Sequence, residues 1–267
     1  MLKNVTLGQY FPGGTVIHRL DPRTKLIWLV AYIVALFLVR SWSGYGLMLL
    51  ILISASALSH ISAKTLLSGL KPLIFIVVFT ALLNLFYGTG EPLVQFWIFK
   101  ITADGVRRAA SMVLRIMLLV CGSFLLTYTT SPLQLTDGLE LLLAPLKKLR
   151  VPVSEMAMMM SIALRFIPTL IEETDKIMSA QKARGARFDT GKLTERARAL
   201  IPLLIPLFVG AFRRADELAT AMECRCYQTG GSRTRMKVFH LARRDVLALL
   251  CGAAMVAAVV ALRRLAV

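Results

Sequence analysis

The sequence predicts an all-α integral membrane protein with about five transmembrane helices and a set of long cytoplasmic amphipathic helices. Three observations carry this. The 267-residue chain is 57% hydrophobic with a mean hydropathy of +0.67, against about 45–50% apolar for an ordinary soluble domain. Its apolar residues gather in runs almost free of charge. Most of its charge falls in one block, residues 131–245, with 19 Lys and Arg and 12 Asp and Glu.

The spans follow in chain order. Leu26–Val39 holds no charged residue and is entered through Arg23 and Lys25. Gly44–Leu58 and Pro72–Tyr87 are the second and third runs, Ala109–Tyr128 the fourth, and Val246–Leu262 the fifth. All but the fourth fall short of the roughly 20 residues that cross a bilayer core, and flanking residues complete them. Trp28, Trp42, Tyr45, Tyr87 and Tyr128 near the run ends suit the membrane interface. Lys3, Arg19, Arg23 and Lys25 ahead of the first span place the N-terminus inside. The charges at Lys100, Arg107, Arg108, Arg263 and Arg264 fit that rule less well, so counts of four or six spans stay open beside five. No A-x-A cleavage site follows the first run, which makes the spans themselves the targeting signal. The expected organisation is an N-terminal membrane domain of four spans over residues 1–130, a cytoplasmic helical domain over 131–243, and a C-terminal transmembrane helix over 244–267.

Net charge is +17, from 32 Lys and Arg against 15 Asp and Glu. In a membrane chain this reads as basic cytoplasmic loops facing a lipid bilayer. No basic stripe interleaved with aromatics stands outside the apolar segments, so nucleic acid is not an expected partner. Cys121 and Cys251 lie in apolar runs, and Cys224 and Cys226 sit one residue apart on an expected helix; all four read as small buried side chains, not as metal ligands.

The charged block keeps Leu, Met, Ile and Ala at helical spacing. Ser131–Pro132 opens one helix, which runs toward Pro145 and a basic end at Lys147, Lys148 and Arg150. A second runs from Glu155 through Met156, Met158, Met159 and Met160 to Ala183, on the order of 40 Å long, with a bend at Pro168 and a stop at Gly185. A third starts near Thr194 or Ile201, bends at Pro202 or Pro206, and reaches about Tyr227 before Gly230–Gly231.

These two long helices end alike. Asp175, Ala180 and Arg184 recur 41 residues later as Asp216, Ala221 and Arg225. Each arginine is flanked by small residues, Ala183 and Gly185 in one case and Cys224 and Cys226 in the other. A small-Arg-small tip can enter a tight groove while its guanidinium reaches carboxylates or carbonyls there. Two matching tips suggest two matching sockets, such as a dimer of nucleotide-hydrolysing subunits would present. Equally, Arg184 and Arg225 could cap their own helices and face water, as suits a cation at a helix C-terminus.

The stretch Gly13-Gly14-Thr15-Val16-Ile17-His18-Arg19-Leu20-Asp21-Pro22-Arg23-Thr24-Lys25-Leu26 resembles the N-terminal signature of the T component of energy-coupling-factor transporters, a family that includes the transmembrane subunit of cobalt and nickel importers. Arg165-Phe166-Ile167-Pro168 and Ala180-Gln181-Lys182-Ala183-Arg184-Gly185 are similar to its first coupling helix, and Ala221-Met222-Glu223-Cys224-Arg225-Cys226-Tyr227 to its second. The resemblance covers essentially the whole chain. It implies an energy-coupling transmembrane subunit of a prokaryotic cell-membrane importer, multi-pass, with its N-terminus and coupling helices in the cytoplasm. It also implies partners: two ABC-type ATPase subunits, identical or paralogous, and a membrane substrate-binding S component for a vitamin or metal ion. Ala183, Arg184, Gly185, Cys224, Arg225 and Cys226 would dock in the ATPases. ATP and Mg would be used there, with no cofactor, metal or catalytic residue on this chain. Cysteines stand where the second motif usually has Ala and Gly, which bears on groove fit.

Three features remain. Leu20–Lys25 is either a functional cytoplasmic turn or the structural start of the first helix. Met156, Met158, Met159 and Met160 are either an adaptable surface for the S component or ordinary helix–helix core. Arg115 is a functional charge within a span, a snorkelling side chain, or a sign that the span begins later. The rival functional reading is a self-contained secondary membrane transporter, which wants ionisable groups at mid-membrane, where only Arg115 qualifies. A membrane enzyme has little support, since His18, His60 and His240 are scattered. No Gly-x-x-x-x-Gly-Lys-Ser/Thr loop is present to bind ATP.

Overall fold

The computed structural model describes residues 10–86, 92–96, 99–186, 188, 193–228 and 239–265. Nine α-helices are described: α1 Pro22–Leu38, α2 Trp42–Ser59, α3 Ala63–Leu70, α4 Ile74–Phe86, α5 Ala103–Thr129, α6 Pro132–Leu142, α7 Val153–Ala183, α8 Leu193–Cys224 and α9 Arg243–Leu265. The all-α expectation holds, with one short addition. Strands β1 Pro92–Phe96 and β2 Phe99–Thr102 pair antiparallel between α4 and α5. Tyr87, Lys3 and Gly230–Gly231 lie outside the described residues.

Helix ends follow the local chemistry. Asp21 caps α1 by accepting from the Arg23 N–H at 2.9 Å, with Pro22 at the first helical position. Ser41, Ser62 and Thr102 cap α2, α3 and α5 in the same manner. Ser131 and Gln134 exchange bonds as a capping box at the start of α6. The third expected run begins earlier than its apolar residues suggested. Helix α3 continues through a 3-10 turn at Lys71–Leu73 into α4, because Pro72 lacks an N–H and tightens the backbone without ending the helix.

Among the described residues, five helical stretches are long and apolar enough to cross a membrane: Trp42–Ser59, Ala63–Leu85, Ala103–Thr129, Val153–Ala183 and Arg243–Arg264. The number five recurs with different membership. Helix α1, at 17 residues, is not among them, whereas α7 is, although the sequence reading set it in the cytoplasmic block.

The chain divides into two compact units. Of the described residues, those within 10–138 and 239–265 form one, and those within 139–228 the other. In the first, α1 packs on α9 and α5, and α5 on α2, α3 and α4. Tyr32, Leu36, Met48, Leu118, Tyr128 and Val259 are buried at its centre. Lipid offers no hydrophobic drive between helices, so close packing and internal hydrogen bonds hold such a bundle. Gly122 shows this, since a Cβ there would lie 2.5 Å from the Tyr32 ring. The Tyr32 hydroxyl, so seated, donates to the Leu118 carbonyl at 3.3 Å.

Leu20–Lys25 ties three helix ends together. The Asp21 N–H donates to Asp245 Oδ1 at 2.8 Å, at the start of α9. Lys25 Nζ donates to the Thr129 carbonyl at 2.9 Å, closing the C-terminus of α5, and to the His18 carbonyl at 3.2 Å. Pro22 lies against Gly138 of α6, where a Cβ would come within 2.8 Å. Of the two sequence readings, the structural one accounts for every one of these contacts.

Arg115 is tied off in a way sequence did not anticipate. Its guanidinium donates to the Val39 carbonyl at 3.1 Å and the Tyr45 hydroxyl at 2.8 Å. It also lies 5.9 Å from the Phe37 and Tyr45 ring centroids. The charge thereby caps the C-terminal end of α1.

Candidate partner-docking site

The second unit carries the two predicted tips. Helix α7 runs uninterrupted through Pro168, and α8 through Pro202 and Pro206. Prolines remove N–H donors there without ending either helix.

The tips match in backbone detail. At the end of α7 the Gly185 N–H donates to Lys182 O at 3.0 Å and the Ala186 N–H to Gln181 O at 3.0 Å, with Gly185 at φ +89°. At the end of α8 the Cys226 N–H donates to Glu223 O at 2.9 Å and the Tyr227 N–H to Met222 O at 3.0 Å, with Cys226 at φ +55°. Both are Schellman closures, and Arg184 and Arg225 hold the same cap position in each. The 41-residue correspondence therefore extends from sequence into hydrogen bonding.

Backbone N–H groups, not guanidinium groups, close these helices. Residues Ala183, Arg184, Gly185, Cys224, Arg225 and Cys226 are all exposed. No hydrogen bond or ion pair is recorded for either guanidinium among the described residues. Capping therefore does not occupy Arg184 or Arg225, and each is presented to solvent on a thin stalk of small residues.

Two contacts fix the direction of α8 against α7. Arg214 donates to Glu173 Oε2 at 2.5 Å, and the Tyr227 hydroxyl donates to the Met158 sulfur at 3.0 Å. Stepping back along α7 from Glu173 to Met158 corresponds to stepping forward along α8 and its cap from Arg214 to Tyr227. The helices thus run antiparallel, with Arg225 near the level of Met160. The tips lie at opposite ends of the pair, on the order of 35 Å apart at the rise of an α-helix.

The methionine stretch divides. Met158 is partly buried beneath Tyr227, while Met156, Met159 and Met160 are exposed at 52%, 58% and 53%. Sequence reasoning missed a further apolar surface on α8, where Ile201, Ile205, Phe208 and Phe212 are exposed. Its signal was the recurrence of large apolar residues every three or four positions.

The cysteines correct an expectation. Cys121 is buried, but Cys224, Cys226 and Cys251 are exposed. Cys224 ends α8, and Cys226 has already left the helix in a left-handed conformation; an exposed helix end leaves nothing to bury them. Among the described residues, no group of three or more His, Cys, Asp or Glu is placed to hold a metal ion.

The fold and these tips define a multi-pass α-helical membrane protein with a distinct helical unit ending in two equivalent arginine caps. The family described as CbiQ, cobalt transport protein, matches residues 13–238. A protein of Thermosediminibacter oceani named energy-coupling factor transporter transmembrane protein EcfT is 52% identical over 92% of this chain and 93% of its own length. Proteins of the same name from Ruminiclostridium cellulolyticum and Bacillus subtilis are 51% and 48% identical, over 92% and 89% of this chain and 92% and 90% of theirs. The chain belongs to this CbiQ/EcfT family of transporter transmembrane proteins.

Proposed function

We propose that the chain is the energy-coupling transmembrane subunit of an ATP-driven importer, and that Arg184 and Arg225 each dock in one of two ABC-type ATPase subunits. The observation that carries this reading is the pair of matching Schellman ends, each with a free arginine at the cap position, at opposite ends of an antiparallel helix pair. A dimeric ATPase offers two equivalent grooves set apart in space, so two equivalent plugs set apart on a stiff support are the complementary form. In each groove a guanidinium can make bidentate bonds with carboxylates or carbonyls, aided by the thinness of Ala183, Gly185, Cys224 and Cys226. Rotation of the ATPase monomers would then move the two ends of the pair against each other.

ATP and Mg act in the ATPases, and this chain contributes no catalytic group. Exposed Met156, Met159 and Met160, with the α8 surface through Phe208, supply adaptable apolar area for a membrane substrate-binding S component. That component captures a vitamin or metal ion. The importer resides in a prokaryotic cell membrane, and the excess of Lys and Arg over Asp and Glu in residues 131–245 fits a cytoplasmic position for the tips.

Arg184→Glu and Arg225→Glu each place a negative charge where an acidic or carbonyl-lined groove awaits a positive one. Each is expected to lower co-purification of the ATPases, and together they abolish uptake with the membrane level of the chain unchanged. Full co-purification and uptake in the double variant would exclude the assignment.

A further inference from the structure

A cavity of about 490 Å³ opens between α1, α2, α5 and α9 in the first unit, within the roughly 300–1,000 Å³ typical of small-molecule sites. Trp28, Leu29, Ile51, Leu125 and Met255 are among the residues that make most of its wall apolar. Leu58 and Leu247 on its lining are 59% and 62% exposed, so it opens to the medium around the bundle. In a membrane that medium is acyl chain.

Apart from Ser54 of α2, whose hydroxyl donates to the Ile51 carbonyl at 2.8 Å, the polar lining gathers at one end. Thr24 and Lys25 lie at the start of α1, Thr129 at the end of α5 and Arg244 at the start of α9. No Asp or Glu lines the cavity. Asp245, beside Arg244, has its two oxygens engaged by the Asp21 and Ala242 N–H groups. Thr24 is 1% exposed, and its hydroxyl has no partner. A buried hydroxyl left so carries a desolvation cost that a ligand oxygen would remove. Lys25 Nζ gives two hydrogens to the His18 and Thr129 carbonyls and has a third to offer.

We propose that this cavity binds one anionic phospholipid, its acyl chain between Trp28 and Met255 and its phosphate held by Arg244 and the Thr24 hydroxyl. Apolar walls open to the bilayer select an acyl chain over a soluble ligand. Two cations without a lining carboxylate select an anionic headgroup, as basic pockets between membrane helices do. The site lies on the contacts of Leu20–Lys25, so the lipid bridges the helix ends that this segment ties.

Native mass spectrometry of the purified full chain tests this, using phosphatidylglycerol and phosphatidylcholine with the same acyl chains. One retained phosphatidylglycerol is expected, favoured about fivefold over phosphatidylcholine. Arg244→Gln removes that preference, and Ala248→Trp, which fills the cavity from α9, removes the adduct of either lipid. Circular dichroism confirms that both variants fold, and millimolar inorganic phosphate leaves the adduct in place. Equal retention of the two lipids, an adduct indifferent to both substitutions, or displacement by phosphate would overturn the proposal.

Discussion

Cys226 occupies a backbone conformation that Gly185 occupies at the equivalent position, and the two residues differ in what it costs them. A Cβ in the left-handed region costs roughly 1 kcal/mol that glycine avoids. Cys226→Gly should therefore stabilise the end of α8 by about that amount less glycine's own entropy. Amide exchange at Tyr227 should slow, whereas Gly185→Ala should speed exchange at Ala186. His18 gives a pH dependence. Its Nε2–H donates to the Phe11 carbonyl at 3.1 Å, and its Nδ1 accepts from the Thr15 hydroxyl at 2.6 Å, so the neutral ring fits the site. Burial, with Lys25 adding to it, lowers the His18 pKa below the ordinary 6.5. A lowered value means the unfolded chain binds the proton first, so this contribution is complete above pH 6.5 and is lost as pH falls below it. Thermal unfolding of the chain should lose more on acidification from pH 7 to about 5 than that of His18→Gln. Arg115 marks the limit of residue-level reading. Its charge within an apolar run was visible in sequence, but its bonds to Val39 and Tyr45 depend on residues some 70 positions away, which no local pattern reveals.

At the scale of elements, the tips were legible because a helix end is a local matter. Small residues, a cation and Gly185 within a few positions specify a C-cap, and the 41-residue recurrence pointed to a second. The direction of α8 against α7 was not legible, because it rests on Glu173 meeting Arg214. That pair is mostly buried, with side chains 26% and 29% exposed, and one Arg214 terminal nitrogen is buried without a partner. Glu173→Ala leaves the guanidinium without its acceptor and should cost about 1–3 kcal/mol. Spin labels at positions 184 and 225 should then report a broadened tip-to-tip distance, and the exchanged pair Glu173→Arg with Arg214→Glu should narrow it again. An unchanged distribution in Glu173→Ala would mean that the pair does not set the geometry. The β1–β2 hairpin escaped notice for a different reason. Its strands are five and four residues long, too short for alternation to stand out beside the apolar runs.

At the scale of the whole molecule, the membrane character was evident from composition, since apolar runs of this length are difficult to bury in water. The contacts place one boundary between the compact units at Gly138 and Leu139, within α6. Apolar α7 explains the tension. A helix can satisfy the length and hydropathy of a span and yet end in a solvent-exposed arginine cap, so composition alone does not assign it to lipid or to a partner. The proposed docking of two ATPases is most directly tested by placing a photo-crosslinking residue at position 184, at position 225, or at both, in the assembled transporter. Each single variant should join this chain to one ATPase subunit, and the double variant should join it to two. Adducts confined to lipid, or no adduct with an ATPase at either position, would contradict the account.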